Sequence, residues 1–387
     1  MKALRNYLDK IKPNFEEGGK LHAFQSLFDG LETFAFVPRT TGRAGGVNIH
    51  DAIDSKRIIS FVIIALMPAL LFGMYNVGYQ NALAAGRLGE ATVLGMWWFG
   101  FLAVLPKIVV SYLVGLGIEF TVAQWKHEEI QEGFLATGIL IPMIVPVTTP
   151  LWMLAIAVAF SVILAKEIFG GTGMNIFNPA LICRAFLFFA YPSMMSGDKV
   201  WVADDTIFGL GNTLVDGFTM ATPLAEVGQG ALPQASLCDM ICGFIPGSIG
   251  ETSVIAIALG ACLLLTTGIA SWKTMLSVFV GGALTACLFE QLGSTPIPWY
   301  EHLVLGGFAF GAVFMATDPV TSARTETGKW IYGLLIGVMA IVIRVMNPGY
   351  PEGMMLAILL MNMFAPTIDH FVVERNISKR MKRGGTK

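Results

Sequence analysis

Residues 58–79, IISFVIIALMPALLFGMYNVGY, form an uncharged and almost wholly apolar run. A run of this length crosses about 30 Å of hydrocarbon as an α-helix, and a helix satisfies its own backbone hydrogen bonds in lipid. Similar runs recur throughout the 387 residues, of which 55% are hydrophobic and 13% are charged. The composition therefore predicts an all-α polytopic membrane protein.

The apolar runs fall into two groups of five, with a polar interval between them. Because five is odd, the two groups enter the membrane from opposite sides, as inverted repeats do, and such repeats place a functional site near the membrane midplane. We therefore predict ten transmembrane helices as two inverted five-helix repeats with broken or re-entrant helices. The predicted spans are 58–79, 98–122, 133–148, 150–169, 176–192, 252–271, 273–292, 301–317, 329–346 and 352–372.

The distribution of Lys and Arg predicts the orientation, because both are enriched in cytoplasmic segments. The tail after the last span carries six basic residues, and the N-terminus is Lys-rich, whereas the polar interval holds Lys199 alone against seven acids. Both termini are predicted to be cytoplasmic, and the interval is predicted to lie on the opposite, periplasmic face. The N-terminus lacks an apolar core, so we do not expect a signal peptide.

The predicted organisation has five regions, each set by hydropathy and charge. They are an amphipathic cytoplasmic N-terminal region (1–55), membrane repeat 1 (56–192), the periplasmic-side loop (193–251), membrane repeat 2 (252–372) and a basic cytoplasmic tail (373–387).

Two polar sequences beside Pro interrupt the apolar runs, one in each predicted repeat. The first is GGTGMNIFNPA at 170–180, and the second is ATDPVT at 316–321. Both are typical of broken helix ends, which membranes tolerate where free backbone groups line a cavity or meet a ligand. The alternative, that both are ordinary helix boundaries, stays open at this point.

The sequence contains few other patterns that indicate a catalytic or binding site. It contains no nucleotide-binding glycine loop, no nucleophile–base motif and no metal-ligand pattern, and we expect no nucleic acid partner. The five Cys lack zinc or iron–sulfur spacing. Cys238 and Cys242 are interpreted as unrelated thiols, with a disulfide as the less favoured alternative.

The polar interval contains DGFTMATPL at 216–224. Thr222 precedes Pro223, and Glu226 follows in what would be a first turn, which is the pattern of a helix N-cap. Gly217 permits an unusual backbone path, so the same stretch also suits an enzyme that must reach the Thr222 hydroxyl. The residues alone leave both interpretations open.

Several long runs carry a resemblance to a known family. They are AKEIFGGTG at 165–173, FNPAL at 177–181, RAFLFFAYP at 184–192, IPGSIGE at 245–251, MATDPV at 315–320 and YPEGMMLAIL at 350–359. Over essentially its whole length the chain resembles the B subunits of Na⁺-translocating NADH:quinone reductases, which are related to the D subunits of Rnf complexes. The resemblance implies a bacterial inner-membrane translocase component that carries electrons to quinone, coupled to Na⁺ export, and is active only within its complex.

The resemblance also implies two flavins. In the family, a flavin transferase joins FMN through its phosphate to the last Thr of an Asp-Gly-x-Ser/Thr-Gly-Ala-Thr motif. Thr222 is the corresponding acceptor here, Asp216, Gly217, Thr219 and Ala221 are the recognition residues, and Met220 stands where Gly is usual. The family holds a second, non-covalent riboflavin on the cytoplasmic side, for which Asn175, Asn178 and Pro179 are the candidates.

For quinone, the resemblance points to Gly115 and Glu119, with Leu116 where a second Gly is expected. The alternative is that Gly115 and Gly117 pack helices and that Glu119 lies at the water interface.

For Na⁺, it points to Asp318 and Asp369, because acids at membrane depth are costly and oxygen ligands suit hard cations. The alternatives are a helix N-cap for Asp318 and an interface residue for Asp369. Arg184 and Arg344 are their candidate counter-charges, or interface anchors.

The expected partners are the other members of a six-subunit complex, notably its FMN-bearing C subunit, together with quinone, Na⁺ and the flavin transferase. Two alternative functions remain: the D subunit of an Rnf-type ferredoxin:NAD oxidoreductase, and a redox-inactive transporter built on inverted repeats. The choice between ubiquinone and menaquinone is open.

Overall fold

The computed structural model describes residues 2–15, 19, 21–25, 28–30, 32, 36, 55–126, 133–204, 206–207, 209–212, 220–347 and 349–384. Within these residues the chain is helical and contains no β-strand; a single isolated bridge joins Ile207 and Leu210. The motif residues Asp216, Gly217 and Thr219 lie outside the described part of the chain.

The first half begins with a short amphipathic helix and continues with long apolar helices. The elements are α1 (Lys2–Ile11), α2 (Ser55–Ala84), α3 (Val93–Lys126), α4 (Phe134–Ile144), α5 (Leu151–Ala165) and α6 (Pro179–Ala190). The Phe24 ring lies 5.9 Å from that of Phe120, so part of the N-terminal region contacts the second half of α3.

The polar interval holds three short helices: α7 (Pro192–Met195), α8 (Pro223–Gly228) and α9 (Leu237–Cys242). Ser236 and Asp239 form a reciprocal capping box at the start of α9, which satisfies backbone N–H groups that a helix start leaves free. Cys238 and Cys242 on α9 are free thiols, in agreement with the interpretation of two unrelated cysteines.

The second half contains α10 (Val254–Thr266), α11 (Trp272–Gln291), α12 (Glu301–Val304), α13 (Phe308–Phe310), a π-helical turn (Gly311–Met315), α14 (Glu326–Met346) and α15 (Met354–Gly384). The predicted span 301–317 is therefore wrong as one continuous helix. Gly306 adopts a left-handed φ of 62° between α12 and α13, a conformation that Gly reaches at little cost.

Among the described residues, six helices are long and apolar enough to cross a membrane, which confirms a polytopic membrane protein. Three further apolar helices, α4, α6 and α10, have 11, 12 and 13 residues. At about 1.5 Å per residue each is roughly 16–20 Å long, too short to cross alone. Ten spans in two inverted repeats remain a prediction, whereas the shortened helices agree with the expectation of broken ones.

Glycine brings the backbones of α11 and α14 together. A Cβ added to Gly337 would lie 2.1 Å from the carbonyl oxygen of Val278, and one added to Gly333 would lie 2.0 Å from the Ser277 hydroxyl oxygen. In lipid, where helices gain little from hydrophobic burial against each other, such close backbone approach is a main source of packing energy.

We expect Gly337→Ala to separate α11 from α14 and to destabilise the fold by about 1–3 kcal/mol, the usual cost of overpacking. Gly117→Ala is the matched control, because nothing lies within 4 Å of a Cβ at this helical glycine. The melting temperature of the detergent-solubilised protein should fall for the first variant and hold or rise for the second. Equal effects would contradict glycine-mediated packing at this contact.

Candidate functional site

Thr222 is the N-cap of α8. Its backbone is extended, with φ −74° and ψ 148°, and its hydroxyl oxygen accepts a hydrogen bond from the amide of Ala225 at 3.1 Å. Pro223 occupies the first helical position and Glu226 the first turn, so the predicted cap is confirmed. The side chain is half-buried, and its place is set by the helix that follows it.

A small apolar cluster fixes α8. Leu224 and Val227 are buried against Met240, Ile245, Ile297 and Leu305, separately from the main core. These partners come from α9, the segment after it and the region around α12. Both halves of the chain therefore hold the short helix that carries Thr222.

Thr222 lines a cavity of about 220 Å³, which we call the Thr222 cavity. Its other walls combine aromatic and charged side chains: Arg184, Trp201, Ser248, Glu251, Tyr350 and Glu352. Ala225 of α8 and Gln229, which follows the last residue of that helix, also line it. Mostly apolar walls with a few convergent polar groups are characteristic of small-molecule sites.

A buried ion cluster forms one wall of the Thr222 cavity. The Arg184 guanidinium donates to Glu251 Oε1 at 2.7 Å and also to Glu352 Oε2, and its side chain is 4% exposed. The Tyr350 hydroxyl donates to Glu352 Oε2 at 3.2 Å. Burial raises the pKa of Glu352 to about 7, against the opposing effect of Arg184.

The predicted role of the two arginines as counter-charges of the acids Asp318 and Asp369 is wrong. Arg184 pairs with Glu251 and Glu352. Arg344 instead donates to three backbone carbonyl oxygens, at distances of 2.5–3.2 Å; these belong to His302, Leu305 and Pro351. His302 lies in α12 and Leu305 directly follows it, so Arg344 satisfies two carbonyls that the end of this helix leaves free.

Gly307 makes room for the two carboxylates. A Cβ at this position would lie 2.6 Å from Glu251 Oε1 and 2.9 Å from Glu352 Oε1. Any larger residue would fill the space in which both acids approach Arg184. The cavity wall thus depends on a glycine in the break between α12 and α13.

A second cavity, of about 260 Å³, contains the riboflavin candidates and Asp318, and we call it the Asn178 cavity. Asn175, Asn178 and Pro179 line it together with Lys166, Thr172 and Asp318. Both interrupted sequences therefore face one cavity, as the cavity interpretation predicts. Asn178 is also the N-cap of α6, so the helix-boundary interpretation holds there as well.

Asn178 joins the two interrupted sequences. Its side-chain oxygen accepts from the amide of Ala180 at 2.9 Å and so caps α6, while its Nδ2 donates to Asp318 Oδ2 at 3.3 Å. Asp318 also accepts from the amide of Val320 at 3.1 Å and from the Thr321 hydroxyl at 3.0 Å. Asp318 is thus a local cap that in addition contacts the other half of the chain.

The Asn178 cavity contains a polar atom that lacks a protein partner. The Thr172 hydroxyl oxygen is buried and has no hydrogen-bond partner among the described residues. Leaving such a group unpaired costs about 1–3 kcal/mol. A bound ligand or water in the cavity would remove that cost.

Gly115 and Glu119 lie on the buried face of α3. A Cβ at Gly115 would fall 1.9 Å from Cζ of Phe134, so this glycine packs α3 against α4, whereas Gly117 is exposed with nothing nearby. Glu119 is 4% exposed and forms an ion pair with Lys166. The burial of Glu119 beside Lys166 differs from an exposed residue at the water interface, whereas the contact of Gly115 with Phe134 agrees with the alternative of a helix-packing glycine.

Asp369 lies on α15 and caps α14. Its carboxylate accepts from the amide of Arg324 at 2.7 Å, from the amide of Thr325 at 3.0 Å and from the Thr325 hydroxyl at 2.6 Å. The residues that line the Asn178 cavity do not include it. In the part of the chain that the structure describes, no three His, Cys, Asp or Glu side chains come together as a candidate metal site.

The two cavities lie along α6. Asn178 precedes the first residue of this helix, and Arg184 lies near its middle, six residues after Asn178, an axial rise of about 9 Å. Leu181 and Cys183 lie between these two positions in the sequence, and both are buried.

The sequence interpretation assigned no role to Lys166, Thr172, Ser248 or Glu352. Lys166 and Glu352 carried one usable signal: each is a charged residue beside an apolar run, and buried charges in membrane proteins are usually functional. Thr172 and Ser248 gave no such signal. Their importance depends on which segments fold next to them.

The sequence model of the NQR2, RnfD, RnfE family matches residues 44–378. The B subunit of the Na(+)-translocating NADH-quinone reductase of Chromohalobacter salexigens is 48% identical, over 98% of this chain and 96% of that protein. Proteins of the same name from Pseudomonas paraeruginosa and Klebsiella pneumoniae strain 342 are 42% and 43% identical, over 99% and 98% of this chain and all of theirs.

Replacing Asn178 should separate its two hydrogen-bonding roles. Asn178→Ser keeps a capping oxygen but loses the contact with Asp318, whereas Asn178→Ala loses both. We expect Asn178→Ala to be the less stable by about 0.5–2 kcal/mol, the usual value of an N-cap. Thermal melting of the purified protein measures the difference, and identical melting temperatures would contradict a capping role.

Proposed function

The chain belongs to the NQR2, RnfD, RnfE family, and from that membership we propose that it is the B subunit of a Na⁺-translocating NADH:quinone reductase. The observation that carries the proposal is 42–48% identity to proteins of that name over nearly the full length of both chains. The chain is then one membrane component of a larger enzyme. NADH oxidation, quinone reduction and Na⁺ export belong to the assembled complex.

We further propose that Thr222 carries FMN, joined through its phosphate by a flavin transferase. Support comes from the Thr222 cavity: the threonine is half-buried at its edge, and Trp201 and Tyr350 offer flat apolar faces inside it. The Gly307 gap and the polar groups of Arg184 and Ser248 would accommodate the polar edge of a ring system. Bound flavin would supply electron transfer, while the protein contributes position and electrostatics.

We propose the Asn178 cavity as the riboflavin site. Asn175 lines the cavity; its Oδ1 accepts from the Gly173 amide and its Nδ2 donates to the Phe177 carbonyl, which leaves one N–H for a ligand. The unpaired hydroxyl of Thr172, another lining residue, is a further candidate group. An isoalloxazine ring presents donors and acceptors at one edge, which amides and hydroxyls match. Asn178 is already engaged with α6 and Asp318, so its contribution is to shape the cavity floor together with Pro179.

The assignments for quinone and Na⁺ remain proposals. Glu119 and Gly115 would act from the cytoplasmic part of α3, where the Glu119–Lys166 ion pair adjoins the Asn178 cavity. Asp318 faces that cavity and could offer an oxygen to Na⁺ there. Asp369 would act near the start of α14, which lies towards the cytoplasm in the proposed orientation with cytoplasmic termini.

We propose that the complex lies in the bacterial inner membrane, with Thr222 on the periplasmic side. The partners are the other five subunits, including the FMN-bearing C subunit. The family also includes Rnf proteins, yet identity to the quinone reductase B subunits favours the quinone reductase. Na⁺-stimulated NADH:quinone activity in membranes distinguishes this function from that of an Rnf-type complex or a redox-inactive transporter.

Three variants of Thr222 should separate the flavin tether from the helix cap. We expect Thr222→Ala to lose both, Thr222→Asp to lose only the tether because Asp remains a good cap, and Thr222→Ser to keep both functions. In-gel flavin fluorescence of the denatured chain reports the tether, and thermal melting reports the cap. A covalent signal that survives in Thr222→Asp would rule out attachment at this residue.

For riboflavin, Thr172→Val replaces the unpaired hydroxyl with a group of similar shape. We expect about a tenfold loss of affinity, equivalent to about 1.4 kcal/mol, and a lower content of riboflavin extracted from the purified complex. Thr149→Val is the matched control, because Thr149 also has a buried unpartnered hydroxyl but does not line the cavity. Equal riboflavin loss in both variants would contradict the site.

A further inference from the structure

Arg184 is a fixed cation that faces the space next to Thr222. It lies on α6, more than a hundred residues before α15, and its side chain is 4% exposed. Placing a charge in such surroundings is costly unless partners hold it. The residues around Arg184 indicate the role of this buried charge.

The two carboxylates orient the guanidinium group. Glu251 binds one terminal nitrogen, and Glu352 binds the other, with the Ser248 hydroxyl 3.5 Å from that second nitrogen. An Arg side chain has five N–H donors in a rigid planar fork. These contacts use three of them, and Nε–H has no protein partner in the described part of the chain.

The N–H donors of Arg184 that these contacts leave free lie beside the Thr222 cavity. Arg184, Glu251, Glu352 and Thr222 all line that cavity. A purely structural ion pair needs no cavity beside it. An arginine that binds a ligand needs a side chain held in one orientation and an N–H that the ligand can reach. Gly307 supplies part of the space, since a Cβ there would displace both acids.

We propose that Arg184 is the positioning residue of the Thr222 cavity, donating hydrogen bonds to the carbonyl edge of the flavin attached at Thr222. Glu251 and Glu352 hold its guanidinium in place, and the Tyr350 hydroxyl holds Glu352. This inference rests on the proposed function, because it needs the flavin on Thr222.

The proposal predicts the direction in which Arg184 shifts the midpoint potential of the attached flavin. Reduction increases the negative charge at the carbonyl edge of an isoalloxazine ring, and a fixed cation with N–H donors stabilises that charge. Arg184 therefore raises the midpoint potential of the attached flavin. Without it, the ratio of reduced to oxidised flavin at a given potential should fall.

The test uses the complete complex with Arg184→Gln and Arg184→Lys. In-gel fluorescence of the denatured chain should stay at the wild-type level, because the tether is made at Thr222. Spectroelectrochemical titration should show about a tenfold fall in the reduced-to-oxidised ratio for Arg184→Gln, or about 59 mV for a one-electron step. Arg184→Lys should fall between that variant and wild type, since it keeps the charge and loses the fork.

Two reference variants make the titration specific. The same complex with Thr222→Asp lacks the attached flavin, so subtracting its titration isolates the signal of interest. Lys199→Gln removes one exposed positive charge from the same polar interval without touching the cavity. It should leave the midpoint unchanged.

Arg184→Gln leaves two buried acids without their partner, which strongly destabilises such clusters. Should that variant fail to assemble, Arg184→Gln combined with Glu251→Gln also removes one of the two buried negative charges. It should still show a fall, but a smaller one, because losing the Glu251 charge partly offsets losing the Arg184 charge. An unchanged midpoint in a fully flavinylated variant would overturn the proposal, as would an equal shift in Lys199→Gln. Absence of covalent flavin in the wild-type protein would instead refute the attachment at Thr222.

Discussion

A helix that ends inside a membrane must find partners for its free backbone groups, because lipid offers none. The hydrogen bond between Asn178 and Asp318 belongs to the solution of that problem in this protein. Asn178 caps α6, Asp318 caps its own turn, and the two side chains meet although 140 residues separate them. One hydrogen bond thus links the capping residues of two interrupted sequences, one from each half of the chain.

This constraint explains where the cavities lie. A helix of 12 residues cannot fill the thickness of the membrane, so α6 leaves space at both ends. Asn178 and Asp318 face the space at its start, and Arg184, near the middle of the helix, lines the other cavity with its two acids. Polar side chains occur in a largely apolar interior because the shortened helix brings them there and gives them partners.

Much of this arrangement could be predicted from the sequence, and the remainder could not for identifiable reasons. Hydropathy located α2 and α3 but underestimated their lengths, because their ends carry polar residues such as Gln80 and Lys126 that still fit a helix. The capping rule placed the start of α8 correctly, whereas the predicted span 176–192 begins three residues before the first residue of α6. The break at Gly306 was missed because the apolar composition of 303–315 continues through it.

The partners of the charged residues were the least predictable part. Arg184 finds Glu251 and Glu352 at separations of 67 and 168 residues, and no local pattern contains that information. The sequence of α3 allows Glu119 to be a residue at the water interface, whereas in the structure it is buried in an ion pair with Lys166. Motif resemblance identified Thr222 and the Asn175–Pro179 sequence, whereas only the fold shows which other side chains share their cavities.

The cap at Thr222 has a consequence for the order of assembly. Capping uses a lone pair of the hydroxyl oxygen to accept from the Ala225 amide, whereas formation of a phosphoester replaces the hydroxyl hydrogen. The hydrogen bond needs only a lone pair of the oxygen, and the phosphoester needs only its bond to hydrogen. The helix α8 can therefore be folded and anchored before anything is attached to Thr222. A modifying enzyme would then meet a rigid, already oriented acceptor, and the bond it makes does not require the helix to unwind.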